Sequence, residues 1–152
     1  MFDYLTNEVL ALLLAALSGV LMAGQGSLNT VLSKAVGLLE STFIVHVTGT
    51  LLVMALLFIL RLGKGNFSLY TQAPWYAFLG GAVGVGIIYL VVASIPKVGV
   101  ANATTAIIVG QVLAALAIDH FGLFGLQRVP CNWCQLGGLL LLAIGARLLL
   151  RH

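Results

Sequence analysis

Apolar residues run along this chain in long stretches, each cut off by a short polar cluster. A helix needs about 20 mainly apolar residues to cross a hydrocarbon core of about 30 Å, so the polar punctuation sets the number of spans. Five stretches qualify. The first extends from about Val9 to Leu32, after Thr6, Asn7 and Glu8 and before Ser33 and Lys34. It is too long for a cleavable signal peptide and lacks the basic leader of one. The second runs from about Ser41 to Leu60, with Glu40 and Ser41 placed to cap its start and Arg61 and Lys64 just past its end. The most polar loop, Gly63 to Ala73, follows. Pro74 suits a first helical turn, which starts the third span there and carries it to about Ser94, with Trp75 and Tyr76 at the interface. Ile95-Pro96-Lys97-Val98-Gly99 reads as a tight turn. The fourth span covers Val100 to Ile118, closed by Asp119-His120-Phe121-Gly122. The fifth covers Trp133 to Leu150, closed by Arg151 and His152. The expected fold is one all-α integral membrane domain over residues 1–152, made of five transmembrane helices.

Composition agrees. Hydrophobic residues make up 61% of the chain and charged residues 7%, so there is too little polar surface to cover a soluble globule. A water-soluble enzyme is thereby excluded, and so is a disordered chain. The 18 glycines follow no three-residue period, which excludes a collagen-like fibre. The net charge of +3 comes from Lys34, Arg61, Lys64, Lys97, Arg128, Arg147 and Arg151, scattered singly as loop charges and not clustered against nucleic acid. Cys131 and Cys134 are too few for a disulfide framework.

Five spans put the two termini on opposite sides of the bilayer. The N-terminal side then holds Arg61, Lys64 and Arg128, and the other side holds Lys34, Lys97, Arg147 and Arg151, a balance of three against four. Orientation by positive charge needs an asymmetry that this count does not supply. Either the chain inserts both ways round, or Arg147, inside the last helix, does not belong in the count.

Polar side chains inside spans are costly in hydrocarbon unless they find a partner or a water-filled cavity. Gln25 and Asn29 are spaced i and i+4 on one face of the first span, and Gly24 and Gly26 flank the glutamine so that a neighbour can approach. They act either as hydrogen-bonding glue between helices or as the wall of a cavity. Gln111 is the one large polar residue at mid-depth in the fourth span, with Asn102 and Thr105 nearer its start. His46 and Thr50 form a second i, i+4 pair, and a histidine so placed is more often a structural donor than a proton carrier. Ser18 can satisfy itself on its own backbone. Gly80 and Gly84, and Ala106, Gly110 and Ala114, make small-residue ridges suited to close helix packing. The string Gly84-Val85-Gly86 imitates part of a dinucleotide fingerprint but follows no strand. Cys131-Asn132-Trp133-Cys134 has redox spacing without a thioredoxin-like surround. No acid lies at mid-membrane: Asp3, Glu8, Glu40 and Asp119 are all peripheral. A carboxylate at the end of the fourth helix opposes the dipole, so Asp119 calls for a partner such as His120 or Arg128, as a structural contact or, alternatively, a gate. No catalytic set, metal site or cofactor motif is present in this pattern.

Several of these strings, in order and spacing, resemble the YdcZ family, a half-size branch of the drug/metabolite transporter superfamily. They are Gly24-Gln25-Gly26-Ser27-Leu28-Asn29, Gly80-Gly81-Ala82-Val83-Gly84, Ile95-Pro96-Lys97-Val98-Gly99-Val100-Ala101, Gly110-Gln111 and Ile118-Asp119-His120-Phe121-Gly122. The resemblance implies a bacterial inner-membrane protein. It also implies that five helices form half of a ten-helix inverted repeat, completed by a second copy in the opposite orientation or by a different half-size subunit. Small multidrug resistance relatives carry a membrane-embedded glutamate in the first span, whereas this chain offers Gln25 and Asn29. An amide cannot exchange protons in that way, which favours a neutral or amphiphilic substrate.

Two functions follow as expectations. One is a secondary or facilitative transporter whose cavity is lined by Gln25, Asn29 and Gln111, with Asn102, His46 and Tyr89 behind them. The other is a non-transporting membrane component that binds a lipid-like ligand or assembles with a partner through its small-residue ridges.

Overall fold

A computed structural model of the chain describes residues 2–150, with side chains from residue 7 onward. The side chains of Asp3 and Thr6, and the residues Arg151 and His152, lie outside the described residues. Among the described residues the fold is helical throughout: α1 (Phe2–Val36), α2 (Leu38–Met54), α3 (Leu79–Val98), α4 (Val100–Phe121) and α5 (Trp133–Leu149). Four segments are long and apolar enough to cross a membrane: Asn7–Val36, Leu38–Ile59, Trp75–Val98 and Val100–Phe121. The fifth helix has 17 residues, about 26 Å of rise, which is short of a full hydrocarbon core. The chain divides into two compact units, Met1–Lys97 and Val98–His152.

Several helix ends depart from the sequence expectation. α1 continues past Ser33 and Lys34 to Val36, because the Ser33 hydroxyl is satisfied on the Thr30 carbonyl and Lys34 suits the negative end of the dipole. α2 begins at Leu38, not at Ser41, and its N-cap is Gly37, with no side-chain cap. Ser41 instead gives its hydroxyl hydrogen to the Leu38 carbonyl, and Glu40 lies in the first turn. At its far end α2 widens into a single π-helical turn, Ala55–Ile59, and the chain leaves through Arg61 at φ 52°. Pro74 precedes a short 3-10 turn, Trp75–Phe78, before α3 starts.

The expected turn at Ile95–Gly99 is replaced by helix. α3 runs through Pro96 to Val98. Proline lacks a donor, but its fixed φ is a helical one, and only one hydrogen bond is lost so close to the helix end. The stop falls at Gly99, whose φ of 83° and ψ of 163° only glycine adopts readily. Gly37 has the same kind of backbone, φ 105° and ψ 161°. α4 also runs beyond Ile118, to Phe121, and ends on Gly122 in the left-handed region at φ 63°.

In the first unit the buried positions are few and cluster toward the α1–α2 joint. They include Asn29, Thr30, Ser41 and Thr42 alongside Val92 and Ile95. Gly26 is the close approach: a Cβ there would lie 3.0 Å from Val91 Cγ1 and 3.1 Å from Ile95 Cδ1 of α3. The large apolar side chains mostly face outward, as in Leu12, Leu28 and Leu141, which a bilayer accommodates and water does not. In the second unit α4 packs on α5, and Ala103 and Ala146 are its buried residues among those described.

The two glycine joints differ in one respect. A Cβ on Gly37 would collide with the Glu40 carboxylate, whereas one on Gly99 meets nothing within 4 Å. Both Gly37→Ala and Gly99→Ala should therefore lose about 1–3 kcal/mol to backbone strain. Gly37→Ala should lose about 0.3–1 kcal/mol more by driving Glu40 off the positive end of α2. Thermal unfolding of purified protein checks this: in a Glu40→Ala background the two glycine substitutions should cost the same.

Candidate functional site

Most hydroxyl groups within the helices are satisfied locally, whereas those of Thr50 and Thr104 have no hydrogen-bond partner among the described residues. Ser18, Ser27, Thr30, Thr42, Thr48, Ser94 and Thr105 each donate to a carbonyl one turn back at 2.7–3.0 Å. The amides behave differently. Among the described residues, the side chains of Gln25, Asn29, Asn102 and Gln111 have no hydrogen-bond partner. Asn29 is 7% exposed as a residue, yet its amide atoms are not sealed off, and its donors and acceptor are uncommitted.

Gln25 and His46 are brought together. They border one groove of about 450 Å³ in the first unit, with Thr50 of α2 beside them and apolar walls of Val45, Val53, Met54 and Ile88. The i, i+4 spacing of His46 and Thr50 puts both on that wall. Gln25, an exposed residue, borders the groove from α1, while Asn29, one turn on, is buried.

His46 Nδ1 lies 2.8 Å from the Thr42 carbonyl oxygen. A carbonyl only accepts, so Nδ1 carries the hydrogen and, in the neutral ring, Nε2 keeps a lone pair. Nε2 looks toward α3, where a Cβ on Gly84 would stand 3.8 Å from it. The imidazole also borders a second groove of about 560 Å³, walled by Leu39, Phe43, Ile44 and Val85, with Glu40 at its edge. His46 is thus the partition between an uncharged groove and one that ends on a carboxylate.

The other candidates sit elsewhere. Tyr89 is exposed on α3 and borders neither groove. Gln111 is exposed and Asn102 half-buried on α4, in the second unit. Gly80 and Gly110 have open space where a Cβ would be, and Ala114 is exposed. Ala106 lines a groove of about 800 Å³ between α4 and α5, together with Val109, Ala143 and Arg147.

The segment after α4 folds back on that helix. The Asp119 carbonyl accepts from Val129 N at 2.8 Å, the His120 carbonyl accepts from Arg128 Nε at 2.9 Å, and Cys131 N donates to His120 Nδ1 at 3.2 Å. Among the described residues the Asp119 carboxylate forms no ion pair; its main chain and the His120 ring make the contacts that the sequence assigned to the side chain. Asn132 and Gln135 then form a reciprocal capping box that starts α5. The Asn-x-x-Gln spacing was the sequence signal for it. No group of three or more metal-ligating side chains gathers among the described residues.

Comparison with protein families decides the affiliation. The family model described as "Putative inner membrane exporter, YdcZ" matches residues 10–148, all but the two ends of the chain. This chain belongs to the YdcZ family. Its setting is therefore the inner membrane, and its general role is membrane transport. No curated protein and no solved structure matches it.

If His120 pins the loop, removing its ring frees the Cys131 main chain. In a Cys134→Ser background, His120→Ala should raise the maleimide labelling rate of Cys131 severalfold over the parent, read by mass shift. An unchanged rate would mean that the loop is held by Arg128 and Val129 alone.

Proposed function

We propose that this YdcZ member is a secondary or facilitative transporter for a small, uncharged organic or amphiphilic molecule. It works as an antiparallel pair of copies whose facing halves open alternately to the two sides of the membrane. The observation that carries the reading is the set of uncommitted polar groups within the helices, the amides of Gln25 and Asn29 above all, with the unpartnered Thr50 hydroxyl beside Gln25 in the groove. A carboxamide without a partner in hydrocarbon loses several kcal/mol, so its retention there calls for a polar occupant that comes and goes, or for water. The near-equal division of basic residues between the two sides supports insertion in both orientations. The absence of any mid-span carboxylate in the sequence argues for binding through hydrogen bonds instead of charge. The chain acts by binding and release and makes no covalent change in its substrate.

The test is flux of a panel of uncharged amphiphiles in proteoliposomes carrying wild type, Gln25→Leu or Asn29→Leu. Because neither amide has an internal partner to lose, both variants should keep their helicity and thermal stability within about 1 kcal/mol. Flux should fall by about tenfold or more for any substrate that uses them. Wild-type flux in both variants, with the fold intact, would remove these residues from the path.

A further inference from the structure

The groove bordered by Gln25 and His46 is more selective than an uncharged cavity need be, because the polar capacity of the histidine is half spent. Nδ1–H is committed to the Thr42 carbonyl at 2.8 Å, which fixes both the ring's orientation and its tautomer. Only Nε2 is left, and in that tautomer it accepts and cannot donate. Among the described residues nothing donates to it: Gly84 of α3, where an added Cβ would stand 3.8 Å away, has no side chain to offer. The rest of the wall supplies one carboxamide, one hydroxyl and four apolar side chains, and no charge.

We infer that this groove selects uncharged ligands that carry a hydroxyl or N–H donor next to an apolar body, and that His46 Nε2 is the acceptor which reads that donor. The ligand's apolar part lies along Val53, Met54 and Ile88, and Gln25 takes or gives a second hydrogen bond from α1. A cation finds no carboxylate on this wall, and an anion meets the Nε2 lone pair. Ethers and esters of the same size can accept from Gln25 but have nothing to give His46. The inference rests on the transport reading for its biological meaning, but the recognition it describes is a binding property of the single groove.

Octanol and methyl octyl ether share an apolar body and differ in whether they can donate. Their binding to the full chain in lipid nanodiscs, measured as the excess over protein-free discs, tests the inference without any transport step. Wild type should bind octanol about tenfold more tightly than the ether, the value of one hydrogen bond to an otherwise unpaired acceptor. Gly84→Ser places a hydroxyl within reach of Nε2 and should erase that preference while His46 stays in place. His46→Phe should erase it as well. Equal binding of alcohol and ether by the wild type overturns the inference with no variant needed, and so does a preference that survives in both variants. Absence of flux in vesicles alongside an intact alcohol preference would overturn the transport reading and leave this one standing.

Discussion

A polar group inside a bilayer must find its hydrogen bonds within protein or trapped water, and this constraint governs what each helix of the chain can carry. A hydroxyl has one hydrogen to place, and the spare lone pair of a carbonyl one turn back takes it, as at Thr30 and Thr42. A carboxamide has two N–H donors and an acceptor, more than its own helix can satisfy. Gln25, Asn29, Asn102 and Gln111 therefore keep open hydrogen-bonding groups, and the hydroxyls of Thr50 and Thr104 join them. The chain keeps groups that a lone helix bundle in lipid would exclude, and the transport reading follows from that.

Two joints between consecutive helices are short: α1 passes to α2 through a single residue, Gly37, and α4 starts directly from Gly99. Glycine is required at both because a φ near +90° with ψ near 160° is strained for every other residue. His46 shows how a side chain can be satisfied and still be available: its Nδ1 closes on the backbone and its Nε2 remains open toward Gly84.

Much of the fold was legible because hydropathy and polar punctuation report directly on membrane depth. The ordered glycine, asparagine and glutamine strings pointed to the family, which the match over residues 10–148 establishes. Helix boundaries were harder where one residue has two opposed tendencies. Pro96 discourages helix before it yet fits helix itself, and the chain followed the second tendency until Gly99 offered a cheaper stop. Glu40 and Ser41 looked like a cap, but a glycine three residues earlier could turn the chain and start the helix sooner. In the site, spacing alone put His46 with Thr50 and Gln25 near Asn29. That Gln25 and His46 border one groove depends on how α1 and α2 pack, which no local spacing encodes. The role of the Asp119 main chain in holding the loop was likewise hidden, since side-chain chemistry points to the carboxylate and not to the carbonyl.

The most direct measurement is aqueous access to the buried amide position. With Cys131 and Cys134 replaced by serine, the thiol introduced by Asn29→Cys can be challenged in sealed vesicles with a charged, membrane-impermeant maleimide from each side. If the amides line a solvated path through the membrane, this thiol reacts with the charged reagent far faster than thiols introduced by Leu12→Cys or Leu28→Cys on the lipid-facing surface of the same helix. Equal protection of all three would contradict the account and return Asn29 to the role of structural glue.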